Sequence, residues 1–519
     1  MNPFNKNKKS SNVMKSASLG MLMNILKVIM GFGYRTFFLS VLSAAYLGIN
    51  GLFTNILQIL SLAELGVTTA IVFRFYEPIS RGDVAKVGRL MNYFRTVYHT
   101  IAFVIMAGGL SLIPLLPSLI NSSDSVPADI NLTLVYILFL INTVSSYIFS
   151  YKLTLLNADQ RNYQFAVIDA FISLLRYLVQ VIILFSTRNY TLTLAAGIAA
   201  TLLSNYIFSI WVTNQYKEVF AVTEKLEQED RKIILNDTKA CMYHKVGTCI
   251  LTGTDSAVLT KMVNLVSAGL YSNYSLILLS LQAAIGQLLG NFISSLGNAR
   301  LTLSKEDYYR LYKKFNFFGL WVTSITTVCL YVAIDDFVQV WLGKDYVLGH
   351  VTTAVLCIQY FMQVSSDISM SFTNASGLFV KDKLRPLIEA SINLVVSVIL
   401  AHYWGVTGVF AGTVISILLT TFWRIPFVLY KYDFKRSTGD YWKQYIPFTA
   451  ITALMCLLTY EIKKAAMIKP TLLFVFIELI VSMAIMNAGM ILLYRNKEEY
   501  LFAKDILKGI ARRFIRKEQ

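Results

Sequence analysis

Fourteen apolar stretches of bilayer-spanning length dominate this chain of 519 residues. A transmembrane helix needs about 20 consecutive, mostly apolar residues. Charged residues make up only 15% of the chain, against about 25% in soluble domains, so soluble globules of this total length would lack polar surface. The sequence therefore predicts an all-α, polytopic membrane protein. The predicted spans are residues 19–42, 51–73, 97–120, 131–151, 165–186, 192–214, 246–263, 269–295, 315–335, 350–376, 387–404, 407–429, 445–460 and 470–494.

The net charge of +17 is distributed unequally between the two sides of the predicted membrane. Segments on the side of the N terminus contain 38 Lys and Arg residues, and the opposite loops contain five. Cytoplasmic loops of membrane proteins are enriched in these residues. The asymmetry predicts that both termini are cytoplasmic, and it removes the net charge as evidence for nucleic-acid binding.

Motifs for metal, disulfide and nucleotide chemistry do not occur in the sequence. The five cysteines form no CxxC pair, the four histidines form no HExxH or HxxxH pattern, and there is no Walker A sequence. The longest predicted outer loop has about fifteen residues, which is too short for an external catalytic domain. We therefore expect a protein that is not an enzyme and has no cofactor.

An internal repeat organises the chain. The string GLFTN at Gly51–Asn55 recurs as GLYSN at Gly269–Asn273, and six predicted helices separate the two copies. An even number of intervening helices gives both copies the same orientation, as in transporters with parallel repeats. The alternative is chance similarity between apolar segments. The repeat predicts an N-terminal six-helix lobe (1–214), an inter-lobe linker (215–245), a C-terminal six-helix lobe (246–430), two additional helices (431–494) and a basic tail (495–519).

Polar residues form a stripe along the first predicted helix. Asn24, Lys27, Gly31 and Arg35 lie on one helical face, and the two cations are separated by about 12 Å along the axis. Cations inside a bilayer are costly and usually face a cavity. The stripe predicts an interaction with an anionic substrate; the alternative is that the long side chains reach to the two membrane interfaces.

A neutral polar stripe follows the eighth predicted helix, where Asn273, Ser280, Gln287 and Asn291 lie on one face. Hydroxyl-rich substrates such as sugars bind through groups of this kind. Contacts between neighbouring helices are the alternative explanation, because amides and hydroxyls commonly join membrane helices.

Several other ionisable residues fall within predicted spans. Asp169 and Arg176 share a helical face but are about 10 Å apart along the axis, so we expect each to pair elsewhere. Asp255 is a candidate partner for Arg35. Four carboxylates are candidates for cation coupling or for structural ion pairs: Glu64, Asp169, Asp255 and Asp367.

The order of several strings along the chain carries a resemblance to a known family. These are the run from Tyr46 to Tyr76, TDSAVL at Thr254–Leu259, GLYSNYSLI at Gly269–Ile277 and SSLGN at Ser294–Asn298. In order and spacing the chain is similar to bacterial Wzx-type polysaccharide flippases of the multidrug/oligosaccharidyl-lipid/polysaccharide exporter superfamily.

The resemblance implies a MATE-like fold with two six-helix lobes around a central cavity and two added C-terminal helices. It implies translocation of undecaprenyl-pyrophosphate-linked oligosaccharide repeat units across the bacterial cytoplasmic membrane by alternating access. The product would be capsule, exopolysaccharide or the O-antigen of lipopolysaccharide, and other polysaccharide-assembly proteins are expected partners besides membrane lipid. Substrate-binding positions implied for this sequence are Lys27, Arg35, Asn273, Gln287 and Asn291, joined by Asn24 of the same stripe and by Arg176.

Two other functions stay open at this point. A cation-coupled multidrug exporter of the same superfamily needs acidic groups in its N-terminal lobe, which Glu64 and Asp169 could supply, whereas Lys27 and Arg35 oppose this function. A membrane polysaccharide polymerase or ligase needs a substantial outer loop, and the short loops argue against one.

Overall fold

The computed structural model describes residues 9–61, 67–120, 126–159, 161–235, 238, 254–293, 300, 302–466 and 468–515. Within these ranges the chain forms helices joined by turns and contains no β-strand. Helices of eight or more residues are numbered in chain order: α1 Lys9–Val41, α2 Ala44–Leu60, α3 Val67–Arg81, α4 Val84–Ser111, α5 Leu132–Ser150, α6 Asn162–Thr187, α7 Tyr190–Gln215, α8 Leu265–Ile293, α9 Lys305–Leu342, α10 His350–Ala375, α11 Arg385–Leu419, α12 Thr421–Val428, α13 Gly439–Ala466, α14 Leu472–Tyr494 and α15 Glu498–Ile515.

The described helices overlap all fourteen predicted apolar runs, although parts of the second, seventh and eighth runs lie outside the described residues. Eight helical segments of the described part are long and apolar enough to cross a bilayer. The predicted all-α, polytopic membrane fold is thereby confirmed. These segments are Val84–Leu119, Leu132–Phe149, Ala166–Thr187, Tyr190–Gln215, Lys305–Leu342, Arg385–Phe434, Gly439–Ala466 and Leu472–Tyr494.

Capping residues fix where several helices begin. The carboxylate of Asp83 accepts a hydrogen bond from the Lys86 amide at 2.9 Å before α4. Asn131 accepts one from the Leu134 amide at 3.0 Å before α5. The first amides of a helix have no partner within it, so a short polar side chain that accepts from them stabilises the helix start.

The chain divides into two compact units, Met1–Gly269 and Leu270–Gln519. In the first unit α1 packs along α6, α6 packs against α7, and α5 packs against α4 and α7. The unit reaches Gly269 because the start of α8 approaches α2 closely: a Cβ on Gly48 would lie 2.1 Å from the carbonyl oxygen of Leu265. The lobe boundaries at residues 214 and 246 stay a prediction.

The second unit is arranged around α9, a helix of 38 residues that packs against α10, α13, α14 and α15. Aromatic rings fill its interior near the start of α9. Tyr312 contacts Phe372 and Phe434, each with ring centroids 5.1 Å apart. These rings bury large apolar area and fix the helices around α9.

The chain reverses direction at Gly405, within α11. This glycine has φ = +55°, a left-handed conformation that is costly for residues with a Cβ. Asn393 Nδ2 donates to Thr413 Oγ1 at 2.8 Å, and Ser397 Oγ donates to the Val409 carbonyl at 2.9 Å. In one straight helix Asn393 and Thr413 would be about 30 Å apart, so α11 is a hairpin of two arms. The predicted runs 387–404 and 407–429 therefore belong to separate helical arms.

The C-terminal helix α15 docks on α9. Phe502 contacts Phe315 with ring centroids 5.5 Å apart, and Tyr500 contacts Trp321 at 5.4 Å. Lys314 Nζ lies 2.6 Å from Glu498 Oε1. The first turns of this basic segment are therefore attached to the second unit through an apolar face and an exposed ion pair.

Candidate functional site

The helices α1 and α6 run side by side in the same direction. Lys27 of α1 is ion-paired with Asp169 of α6. One heptad further along α1, Tyr34 stacks on Tyr177 of α6, with ring centroids 5.0 Å apart and planes 23° from parallel. Contacts that advance together along both helices show a parallel alignment.

The lower level of this helix pair is the ion pair itself. The side chains of Lys27 and Asp169 are 35% and 34% exposed, so the pair is open on one side. Asp169 contacts a residue other than Arg176, as the sequence predicts. The pair neutralises the carboxylate of Asp169, and its open side leaves the ammonium group of Lys27 accessible to a further acceptor.

The upper level contains two arginines and two tyrosines. The guanidinium carbon of Arg176 lies 4.9 Å from the ring centroid of Tyr177, a cation–π contact. Arg35 interacts electrostatically with Tyr34 and Tyr177. At 1.5 Å of rise per residue this level is about 12 Å above Lys27 along α1. Gly31 lies between the two levels, where a Cβ would be 3.9 Å from the Tyr177 hydroxyl oxygen.

We call the residues of both levels, on α1 and α6, the α1–α6 charged face. The group contains three cations and one carboxylate. Its members are Lys27, Tyr34, Arg35, Asp169, Arg176 and Tyr177.

Aromatic and hydrogen-bonded contacts hold α1 in place beyond Arg35. The Tyr190 ring contacts Phe38 and Tyr46 at centroid distances of 6.2 and 5.1 Å, and its hydroxyl donates to Asn50. Tyr46 in turn donates to Asp129 Oδ1 at 2.6 Å. The end of α1 is therefore fixed by α2 and α7, which positions Arg35 relative to α6.

The other predicted site residues that the structure describes are distributed over both units, and the predicted pairing of Asp255 with Arg35 stays a prediction. Asn273 is fully buried at the start of the α8 segment in the second unit, and Asp255 is buried in the first unit. Asp367 is exposed on α10 of the second unit. Glu64 and the side chains of Asn24, Gln287 and Asn291 lie outside the described residues. The structure thus brings Lys27, Arg35, Arg176 and Asp169 together, while the polar stripe of α8 stays a prediction.

Sequence reasoning missed the two tyrosines of the charged face. Each is adjacent to an arginine, as Tyr34-Arg35 on α1 and Arg176-Tyr177 on α6. The Tyr-Arg and Arg-Tyr dipeptides in two predicted spans are a signal that could have found them, because a Tyr hydroxyl within a membrane helix needs a polar partner.

The part of the chain that the structure describes brings no three His, Cys, Asp or Glu side chains into an arrangement that could hold a metal ion. The side chains of the charged face offer electrostatic attraction and hydrogen bonding by guanidinium, ammonium and phenol groups. Groups of this kind bind phosphates and other oxyanions.

Comparison with known proteins identifies the fold. No family model matches the chain, and none of the curated proteins compared has a matching sequence. Solved structures do match. The lipid II flippase MurJ in an inward closed conformation has a TM-score of 0.60 at 11% identity, covering 94% of this chain and 98% of that one. The chain has the fold of transporters of the multidrug/oligosaccharidyl-lipid/polysaccharide (MOP) superfamily.

Two further structures support this assignment. The MATE transporter VcmN of Vibrio cholerae, solved as a mutant, has a TM-score of 0.59 at 15% identity and covers 82% of this chain and 98% of its own. A MOP-superfamily transporter from Pyrococcus furiosus, described as having a binding pocket of reverse polarity, has a TM-score of 0.51 at 12% identity, with 80% and 96% covered. The predicted MATE-like architecture is thereby confirmed at the level of the fold.

Proposed function

We propose that this chain is a flippase for undecaprenyl-pyrophosphate-linked oligosaccharide repeat units in the bacterial cytoplasmic membrane. The observation that carries the proposal is the α1–α6 charged face, which groups three cations, one carboxylate and two tyrosines inside a transporter fold. The repeat unit would serve capsule, exopolysaccharide or O-antigen synthesis, and both termini would be cytoplasmic.

The charges fit a pyrophosphate that moves along the helix pair. A central Lys or Arg costs about 2.5–3.5 kcal/mol on insertion scales, so cations persist there when they have a function or a partner. Arginine matches phosphate oxygens with two parallel hydrogen bonds, and lysine supplies a point charge. Lys27 and the Arg35–Arg176 level, about 12 Å apart, would bind the anion at successive depths during alternating access.

The fold alone does not choose between substrates, because the matched structures include a lipid II flippase and MATE transporters described by multidrug resistance. The charge chooses. An exporter of cationic drugs needs a carboxylate for its substrate, and on this helix pair the carboxylate of Asp169 already has Lys27 as its counter-charge. Two arginines at the upper level would repel a cationic drug.

The proposal is tested in cells that lack their own repeat-unit flippase and express the full chain. Replacing Arg35 and Arg176 together with alanine should lower surface polymer by about tenfold or more, because two charge-assisted contacts are lost. The control Arg81→Ala removes an exposed cation of the first unit and should leave polymer unchanged.

Drug susceptibility is measured on the same strains. Undiminished polymer in the Arg35/Arg176 variant at normal protein level would exclude a role of the charged face in polymer export. Polymer that never rises above background, together with increased drug resistance, would establish the exporter instead.

A further inference from the structure

A groove of about 410 Å³ lies in the first unit, between the middle of α4 and the C-terminal ends of α5 and α7. Its polar end contains Arg95 of α4, Lys152 just after α5, and Thr213 and Asn214 near the end of α7. These helices differ from the pair that forms the α1–α6 charged face. The groove is therefore a separate candidate site.

The two cations of the groove are placed together without a carboxylate. Lys152 Nζ donates to Thr213 Oγ1 at 2.8 Å, which fixes the ammonium group in the groove. Burial, and then the charge of Arg95, lower the pKa of Lys152 from its ordinary value. Among the described residues that line the groove there is no aspartate or glutamate. An anion between the two cations would relieve their repulsion.

The walls of the groove are apolar and open. Ile148 of α5 and Tyr206 and Ile210 of α7 line it and are 39%, 54% and 44% exposed. The charge asymmetry of the sequence predicts that this end of α5 and α7 lies at the cytoplasmic side, where the headgroups of the inner leaflet lie. Cations at headgroup level beside exposed apolar walls match the two parts of a phospholipid.

We propose that this groove binds the headgroup of an anionic phospholipid of the cytoplasmic leaflet. The phosphate lies between Arg95 and Lys152, the polar headgroup meets Thr213 and Asn214, and an acyl chain follows Tyr206 and Ile210. A lipid rather than free phosphate is the occupant because the open side of the groove is lined by apolar side chains. The site is independent of the proposed transport function.

The test is a lipid titration of the purified full chain in detergent, followed by native mass spectrometry. Dioleoyl phosphatidylglycerol and dioleoyl phosphatidylcholine are added separately, and the affinity for the first bound lipid is measured. At about 1 kcal/mol per cation, the double variant Arg95→Gln with Lys152→Gln should lose about tenfold or more in phosphatidylglycerol affinity. The wild type should bind phosphatidylcholine far more weakly than phosphatidylglycerol.

Matched variants separate the groove from general surface charge. Arg81→Gln with Lys86→Gln also removes two cations of the first unit, both in surface ion pairs, and should change affinity less than about twofold. Arg95→Lys with Lys152→Arg retains the charges and should retain most of the affinity, which excludes loss of folding as the cause.

Three results would overturn the proposal. The first is equal phosphatidylglycerol affinity in the wild type and in the Arg95/Lys152 glutamine variant. The second is equal affinity of the wild type for the two lipids. The third is displacement of bound phosphatidylglycerol by millimolar inorganic phosphate, which would show a phosphate site that does not require the lipid. None of these measurements depends on transport.

Discussion

The two units contain charged groups of contrasting kinds. In the second unit Arg385 is 8% exposed, and its guanidinium lies 2.6 Å from Asp382 and 2.9 Å from Glu389. Thr421 contacts both Arg385 and Glu389, and Arg424 lies 3.7 Å from Asp382 at the margin. These five residues, which we call the Arg385 cluster, have two positive and two negative charges. The α1–α6 charged face has an excess of two positive charges, and its ion pair is about one-third exposed.

Comparing the two groups indicates which charged side chains within the membrane helices are candidates for ligand binding. A buried ion pair is stable when each charge has its partner and its hydrogen bonds. Its charged groups are then occupied and are not available to bind a substrate. In the Arg385 cluster the charges balance and Arg385 contacts both carboxylates, so we assign it a structural role, joining the first arm of the α11 hairpin to α12. The charged face has more cations than carboxylates, and its ion pair is partly exposed. Balance and accessibility, rather than the presence of charge, separate the two.

The largest effect is expected at Arg385. Replacing it with methionine leaves Asp382 and Glu389 buried without their main cation, which should destabilise the folded state by about 3–5 kcal/mol. Thermal unfolding of the detergent-solubilised chain measures this loss. The control Arg424→Gln, at a half-exposed position, should cost less than about 1 kcal/mol. Equal unfolding temperatures for Arg385→Met and wild type would mean that the cluster is not structural.

The hairpin that holds the Arg385 cluster should depend on Gly405. An alanine there must adopt φ = +55°, which should cost about 1–2 kcal/mol. Gly33, in α1, is the matched control, because no atom lies within 4 Å of its Cβ position. Gly33→Ala should be neutral or stabilising by up to about 1 kcal/mol in the same unfolding assay. A Gly405→Ala variant as stable as wild type would contradict the left-handed turn.

A smaller effect is expected at the open ion pair of the charged face. Asp169→Asn should change stability by no more than about 1 kcal/mol, because partly exposed pairs contribute little. It increases the excess positive charge of the face, so surface polymer should be maintained. Loss of polymer with Asp169→Asn, while Arg35→Ala has no effect, would reverse the assignment and favour the acidic group as the functional one.

The smallest effect, on the stability of the docked α15, is expected at Glu498. This exposed carboxylate belongs neither to the Arg385 cluster nor to the α1–α6 charged face. Hydrogen bonding and charge from Lys314 lower the pKa of Glu498. A lowered pKa stabilises the docked helix above the unfolded pKa, and this contribution is lost as pH falls through the folded value. Wild type should therefore resist proteolysis of α15 slightly better than Glu498→Gln at neutral pH, and the difference should vanish in acid. A difference that persists in acid would contradict the ion pair as its cause.

Local pattern predicted the helices well and the site in part. Apolar length identified the membrane helices, and two runs that meet at Gly405 were correctly separated because each is long enough to span. Helical periodicity placed Lys27 and Arg35 on one face of α1. It could not pair Lys27 with Asp169, which lies 142 residues away, because the choice of packed helices is a tertiary property. The charge balance of the Arg385 cluster could not be predicted from the sequence for the same reason. Arg385 and Thr421 come into contact only when the α11 hairpin forms.

The central claim is that the α1–α6 charged face acts on an anionic lipid-linked saccharide. Its most direct test is the initial rate at which purified full-length protein in liposomes translocates a fluorescent undecaprenyl-pyrophosphate-linked oligosaccharide. The account predicts transport by the wild type and a rate lower by about tenfold or more when Arg35 and Arg176 are both alanine. An Arg35/Arg176 variant that is folded and transports at the wild-type rate would contradict it.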